Sequence, residues 1–195
     1  MMRTKTEKMR ALYMTRLLPK NARVVPKEAK KVFSGEIFDI YQWQQKMYDG
    51  SFATFEMAKR ADTVQILSII DNKVVVVDEE QPDGTKRINS LPGGRIDSED
   101  DTPLDAAKRE LLEETGYSFR NWKLLSIRQP QRKIEWFIYL FIAWDKTSQI
   151  PQKLDQGEKI TVNKISWADF LACGPKNVIQ DNNLIDYNSL DDLKN

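Results

Sequence analysis

Gly93-Gly94-Arg95-Ile96-Asp97-Ser98-Glu99-Asp100-Asp101-Thr102-Pro103-Leu104-Asp105-Ala106-Ala107-Lys108-Arg109-Glu110-Leu111-Leu112-Glu113-Glu114-Thr115-Gly116-Tyr117 is the stretch on which the reading turns. Its second half predicts a helix. Thr102 is a natural N-cap and Pro103 a natural first helical residue, because the first turn does not need its N–H groups. Asp105, three residues after Thr102, stands where a capping box places its acid. Gly116 is a natural terminator, so the helix is expected from Pro103 to Thr115.

The acids of that helix share one face. At about 100° per residue, Glu113 lies roughly −60° and Glu114 roughly +40° from Glu110. Three like charges so close repel one another, and they sit near the helix C-terminus, where the dipole disfavours negative charge. A cation would resolve the conflict, and oxygen-only ligands select Mg²⁺, Mn²⁺ or Ca²⁺ over zinc. Taken alone, Glu-x-x-Glu-Glu is more often the pattern of a solvated acidic helix face.

Short strands surround this helix. Val32 to Tyr41 and Trp43 to Met57 contain extended stretches, with Asp49-Gly50 as a hairpin signal in the second. Thr63–Ile70 and Lys73–Val77 are β-branched runs joined at Asp71-Asn72, and Pro82-Asp83-Gly84 marks a turn. Beyond the helix, Trp122–Ile127, Ile134–Trp144 and Lys159–Ile165 read as strands. The second of these is almost continuously apolar, as a strand covered on both faces would be. Trp167–Ala172 is a short helix capped by Ser166, and Asp181–Asn195 carries spaced leucines that suit a final helix. The pattern predicts an α+β fold.

Composition narrows the chemistry. The chain has 195 residues, 41% hydrophobic and 30% charged, enough for one folded domain rather than disorder. It has one cysteine, Cys173, and no histidine. Disulfide frameworks, Cys-rich zinc sites, Ser-His and Cys-His catalysis are therefore excluded. Carboxylates, lysines, backbone groups and a hard metal remain. The net charge of +1 hides a split: residues 1–31 hold ten basic and two acidic residues, a charge of +8, which leaves −7 for the rest. Residues 1–31 read as a solvated, poorly ordered arm; nucleic-acid contact is the lesser option, and an organellar leader fits poorly because of Glu7. Neither a secretory core nor a membrane-length apolar run is present, so the expected location is cytoplasmic with no membrane partner.

The quoted stretch resembles the box of the Nudix hydrolases: Gly, five residues, Glu, seven residues, Arg-Glu-apolar, any residue, Glu-Glu, any residue, Gly-apolar. Arg109-Glu110-Leu111, Glu113-Glu114 and Gly116-Tyr117 match it. The acid before the helix is read as Asp101, with seven residues between it and Arg109 and six between it and Gly94. The resemblance implies that Asp101 pairs with Arg109 to brace the loop. It implies a Nudix fold, a mixed sheet sandwiched between helices, over residues 63–175, with an N-terminal antiparallel strand extension over 32–62 and a tail over 176–195. It further implies Mg²⁺ or Mn²⁺ held by Glu110, Glu113 and Glu114 with the Gly94 carbonyl, and water attack on a nucleoside diphosphate linked to another group. The general base is left open between Glu110 and Glu158, the latter in Leu154-Asp155-Gln156-Gly157-Glu158.

The order of elements is similar to ADP-ribose pyrophosphatases and related nucleoside-diphosphate-sugar enzymes. In that group a Glu placed like Glu158 binds metal or acts as base, hairpin aromatics placed like Trp43, Tyr48 and Phe52 can stack on the base, although packing is the commoner role of such residues, and the strand extension suggests a homodimer. Arg60 and Arg128 are candidate phosphate binders, because a guanidinium fits phosphate bidentately. Glu135, beside Arg132 and Lys133, is a candidate substrate contact. The group also carries a Gln-aromatic-Arg run and a further Glu where this chain has Asp78-Glu79-Glu80-Gln81 and Ser90, and often a second acid where it has Gln156. These departures weigh against ADP-ribose itself and leave pyrophosphate hydrolysis intact. The alternatives are a nucleoside triphosphate pyrophosphatase and a non-catalytic Nudix-fold binding module.

Overall fold

Along the strand Ile138–Gln149, alternate residues feed two separate cores. Leu140 and Ile142 join one, and Tyr139, Phe141 and Ala143 join the other. This alternation sets the architecture, because a strand apolar on both faces must be covered on both. The computed structural model describes residues 16–194. The first fifteen residues of the basic arm lie outside them.

The strands are β1 (Lys30–Ser34), β2 (Asp39–Lys46), β3 (Phe52–Lys59), β4 (Thr63–Ile70), β5 (Lys73–Glu80), β6 (Lys86–Ser90), β7 (Tyr117–Arg128), β8 (Ile134–Glu135), β9 (Ile138–Gln149) and β10 (Lys159–Ile165). The helices are α1 (Pro103–Thr115), α2 (Trp167–Cys173), α3 (Lys176–Asp181) and α4 (Leu190–Lys194). One sheet runs β10-β5-β4-β9-β7, with β6 added on β5; a second runs β1-β2-β3-β8. The first is mixed, since β4 and β9 are parallel and the remaining pairs antiparallel. Helix α1 covers one face through Ala106, Ala107 and Leu111; α2, α3 and α4 cover the other through Phe170, Val178, Ile179, Leu190 and Leu193. The fold is the mixed sheet between helices with an N-terminal strand extension that the sequence predicts.

Local chemistry explains the turns. Asp71 and Asn72 both adopt positive φ, as the tight β4–β5 hairpin demands. Thr102 accepts from the Asp105 amide at 3.2 Å and donates to its carboxylate at 2.7 Å. Gly116 takes φ +73° and returns its N–H to Leu112 O, and a Cβ there would lie 1.9 Å from Ile150 O.

Several boundaries differ from expectation. Val32–Tyr41 is two strands, because a turn at Gly35–Phe38 folds β1 back on β2. Ile134–Trp144 is also two, since the chain leaves the second sheet after Glu135 and enters the first at Ile138. Strand β7 begins five residues before Trp122, at Tyr117. The tail forms a helix, a 3-10 turn at Leu184–Asp186 and a last short helix, with Leu184, Leu190 and Leu193 buried. Among the described residues no helix is long and apolar enough to cross a membrane.

Leu111 is fully buried between α1 and the sheet. Leu111→Ala is expected to lower the unfolding free energy by about 3 kcal/mol, read from the urea midpoint at unchanged slope.

Candidate active site

The loop before α1 is zipped onto the edge of β4. Ile66 N–H donates to Pro92 O, Val64 N–H to Gly94 O, and Ile96 N–H to Asp62 O, each at 2.9 Å. The Gly94 carbonyl is thereby fixed in direction with its second lone pair left for another partner. Glu110 presses against this loop. A Cβ at position 94 would lie 2.5 Å from Glu110 Oε2, so only glycine admits the carboxylate there.

Glu114 is 7% exposed and accepts a 2.9 Å hydrogen bond from Gly93 N–H. Burial, with Glu110, Glu158 and Glu79 nearby, raises its pKa to about 8 against the opposing Gly93 bond. Glu110 is raised to about 7 by burial and by Glu113 and Glu158, against the pull of Arg109. Glu113 is half-exposed on the same face.

Arg109 organises the rest. Its Nη1 donates to Glu110 Oε1 at 2.9 Å and Glu113 Oε2 at 3.1 Å, and its Nη2 to Arg95 O at 2.9 Å. Its bracing acid is Asp100, reached from Nε at 3.1 Å and Nη2 at 2.8 Å. This corrects the assignment to Asp101. Five residues separate Gly94 from Asp100 and eight separate Asp100 from Arg109, so the extra residue lies on the helix side of the acid. Counting back from the helix therefore misses the partner by one.

The C-terminal carbonyls of α1, orphaned in an isolated helix, are capped by the chain after β9. Ile150 N–H bonds Gly116 O, Lys153 N–H bonds Glu113 O, and the Gln152 amide donates to Glu114 O. That chain continues to Glu158, whose carboxylate accepts from Asp155 N–H at 3.1 Å. Among the described residues no three acidic or cysteine side chains form a ready-made cation cluster. Each carboxylate instead has its own donor: Arg109 for Glu110 and Glu113, Gly93 for Glu114, Asp155 for Glu158. The donor set nevertheless suits a hard divalent cation: it is all oxygen, buried Glu114 and partly buried Glu110 repel one another, and the glycine loop leaves room for Glu110.

A cavity of about 620 Å³ opens beside Gly93, Gly94 and Glu114. Arg60 and Arg128 line it, as do Arg87, Arg95 and Trp136, which the sequence reading did not single out. The Arg60 guanidinium stands 4.7 Å from the Trp136 ring and 5.6 Å from Phe38, and its buried Nε finds no hydrogen-bond partner among the described residues. Trp136 was legible only as part of a continuous strand; the break after β8 is what turns it into the cavity. Trp43 lies elsewhere: its indole donates to Gln45 and its ring packs 6.0 Å from Phe55. Tyr48 and Phe52 are exposed at the β2–β3 hairpin. Glu135 does not line the cavity. It is buried, binding Arg16, Lys59 and Val25 N–H, so both its oxygens are already engaged.

A NUDIX domain profile matches residues 59–185. The chain is 26% identical over 146 residues to an ADP-ribose pyrophosphatase of Bacillus subtilis (strain 168), covering 73% of this chain and 78% of that one. It is 26% identical over 118 residues to a methanol dehydrogenase activator of Bacillus methanolicus, covering 60% and 63%. It is 29% identical over 98 residues to an ADP-ribose pyrophosphatase of Mycobacterium tuberculosis, covering 50% and 47%. Among solved structures, an ADP compounds hydrolase superposes with TM-score 0.61 at 16% identity over 85% of this chain and 92% of that one, a likeness of fold.

The raised pKa values have a sign. A carboxyl whose pKa is higher in the folded protein contributes stability at low pH and loses it as pH rises through the folded value. The chelator-treated protein should therefore lose thermal stability between about pH 4.5 and about pH 8, and Glu114→Gln should flatten that decline. Melting temperatures across this range, with EDTA present, check both; an unchanged decline in the variant would contradict the assignment.

Proposed function

The chain belongs to the NUDIX domain family, and on that premise we propose that it hydrolyses the pyrophosphate of a nucleoside diphosphate linked to another group, an ADP-ribose-like compound or another nucleoside diphosphate sugar. The observation that carries this reading is one juxtaposition: the acidic face of α1, buried against the glycine loop, adjoins a cavity lined by Arg60 and Arg128. Cation ligands at one end and phosphate ligands at the other suit a substrate whose pyrophosphate lies between them.

In this reading Glu110, Glu113, Glu114 and the Gly94 carbonyl hold Mg²⁺ or Mn²⁺, and of the two roles open to Glu158 it takes that of base. When bound, the cation neutralises the pyrophosphate and acidifies the attacking water. Arg60 and Arg128 hold phosphate oxygens by charge-assisted hydrogen bonds. Arg109 fixes Glu110 and Glu113, and Asp100 fixes Arg109. Glu110 is held by the Arg109 guanidinium and pressed against Gly94, whereas Glu158 accepts from the Asp155 backbone N–H. On that difference we assign Glu158 as the base that takes the proton from water. Water attacks one phosphorus, the bridging P–O bond breaks, and a nucleoside monophosphate leaves with a second phosphate monoester. Exposed Val32, Phe33 and Phe52 on the N-terminal strands, with Ile37 in the β1–β2 turn, support a homodimer through that surface.

A panel of nucleoside diphosphate compounds and nucleoside triphosphates with Mg²⁺, scored by nucleotide product, tests the reading. AMP from ADP-linked compounds is the expected outcome. Hydrolysis of triphosphates alone would favour the alternative substrate class, and no hydrolysis at all would favour a binding module. Glu158→Gln should lower kcat by about 10²–10³ with little change in KM. Arg60→Ala should instead raise KM by about tenfold, the loss of one charge-assisted contact.

A further inference from the structure

The N-terminal segment is tied to the body at a point that bears on the metal-binding loop. Arg16 Nε and Nη2 grip the Asp62 carboxylate at 2.8 and 3.0 Å, and Nη1 reaches Glu135 Oε1 at 2.5 Å. The guanidinium lies 4.8 Å over the Phe137 ring, and Tyr139 OH donates to Leu17 O at 2.8 Å. Surface ion pairs are worth little, but this arginine serves carboxylates whose side chains are 10% and 3% exposed. A buried carboxylate that loses its partner must shift or take up water, so the contact constrains Asp62 strongly.

Asp62 is the last rung of the loop's ladder. Its carbonyl accepts Ile96 N–H, and its carboxylate also accepts Phe137 N–H at 2.9 Å. One residue before Ile96, the Arg95 carbonyl holds Arg109 Nη2, and Arg109 Nη1 holds Glu110 and Glu113. The contacts are continuous from Arg16 through Asp62, the 95–96 backbone and Arg109 to two candidate metal ligands. Lysine cannot reproduce the grip, because one ammonium cannot span both oxygens of Asp62 and reach Glu135 as well.

We propose that Arg16 is a positioning residue for the metal-binding loop, setting its register through Asp62, so that the N-terminal segment is a working part of the site rather than a loose arm. The consequence for metal affinity rests on the reading given under Proposed function; the bracing of the loop does not.

The test uses the full chain and two readouts without substrate: hydrogen exchange at the Ile96 amide by NMR, and the Mn²⁺ concentration for half-maximal thermal stabilisation. Arg16→Ala should speed Ile96 exchange and raise the Mn²⁺ midpoint, each by about tenfold, as for other residues that orient metal ligands. Arg16→Lys, which keeps the charge and the fold, should fall between parent and Arg16→Ala. Lys59→Met removes the other cation on Glu135, at 2.9 Å, without touching Asp62. It should lower the melting temperature while leaving both readouts at parental values. Parental Ile96 exchange in Arg16→Ala, or an equal change in Lys59→Met, overturns the proposal. If the parent protein itself shows no Mn²⁺ stabilisation, the metal assignment fails, and Ile96 exchange alone decides for or against the brace.

Discussion

The crowding of a buried and a partly buried carboxylate, Glu114 and Glu110, on the C-terminal half of α1 is the constraint from which the rest of this structure follows. Glu110 and Glu114 are pressed against a glycine loop, where burial and mutual repulsion push their pKa values to about 7 and about 8. A helix end already disfavours negative charge. The surroundings compensate group by group: Gly93 N–H for Glu114, Arg109 for Glu110, and the β9–β10 connection for the carbonyls beneath them. Each compensating group must be held in turn. This explains why the loop is laddered to β4 and why Arg109 is locked by Asp100.

Much of this was legible in the sequence because it is local. The caps of α1 at Thr102 and Gly116, the Asp71-Asn72 hairpin and the acidic face depend on residues within a few positions of one another, and their spacing carries the information. What escaped depends on where the chain crosses between sheets. Ile134–Trp144 is apolar apart from Glu135, and one acid near its start does not mark the passage that exposes Trp136 to the cavity. The partner of Arg109 escaped for a related reason. Three consecutive charged residues, Glu99, Asp100 and Asp101, precede the helix, and only the path of the loop decides which of them faces the guanidinium.

Glu135 illustrates a limit of reading residue type. A charged residue beside Arg132 and Lys133 reads as a substrate or metal contact. In the fold it is 3% exposed in its side chain and gathers a strand lysine, an arginine from the N-terminal segment and a backbone amide. Its two main side-chain partners are 119 and 76 positions away in sequence, a distance no local pattern reports. The +8 charge of residues 1–31 likewise concealed that Arg16 has specific acidic partners in the body.

The charge layout also bears on how substrate would lie. Arg87 is engaged by Glu79 at 3.1 Å and Arg95 by Asp97 at 2.7 Å, whereas the Arg60 guanidinium stands over the Phe38 and Trp136 rings, and burial with Arg95 nearby lowers its pKa. A guanidinium already neutralised by a neighbouring carboxylate gains less from an incoming anion than one that is not. Arg60 therefore offers an anion more than Arg87 or Arg95 does. The acids of α1 repel anions until a cation joins them. Under the proposed function, a substrate bearing two adjacent phosphates would satisfy both ends at once, one phosphate toward Arg60 and the other toward a cation held by the acids. This polarity, rather than the shape of the cavity alone, is the physical reason to favour a pyrophosphate over a single phosphate.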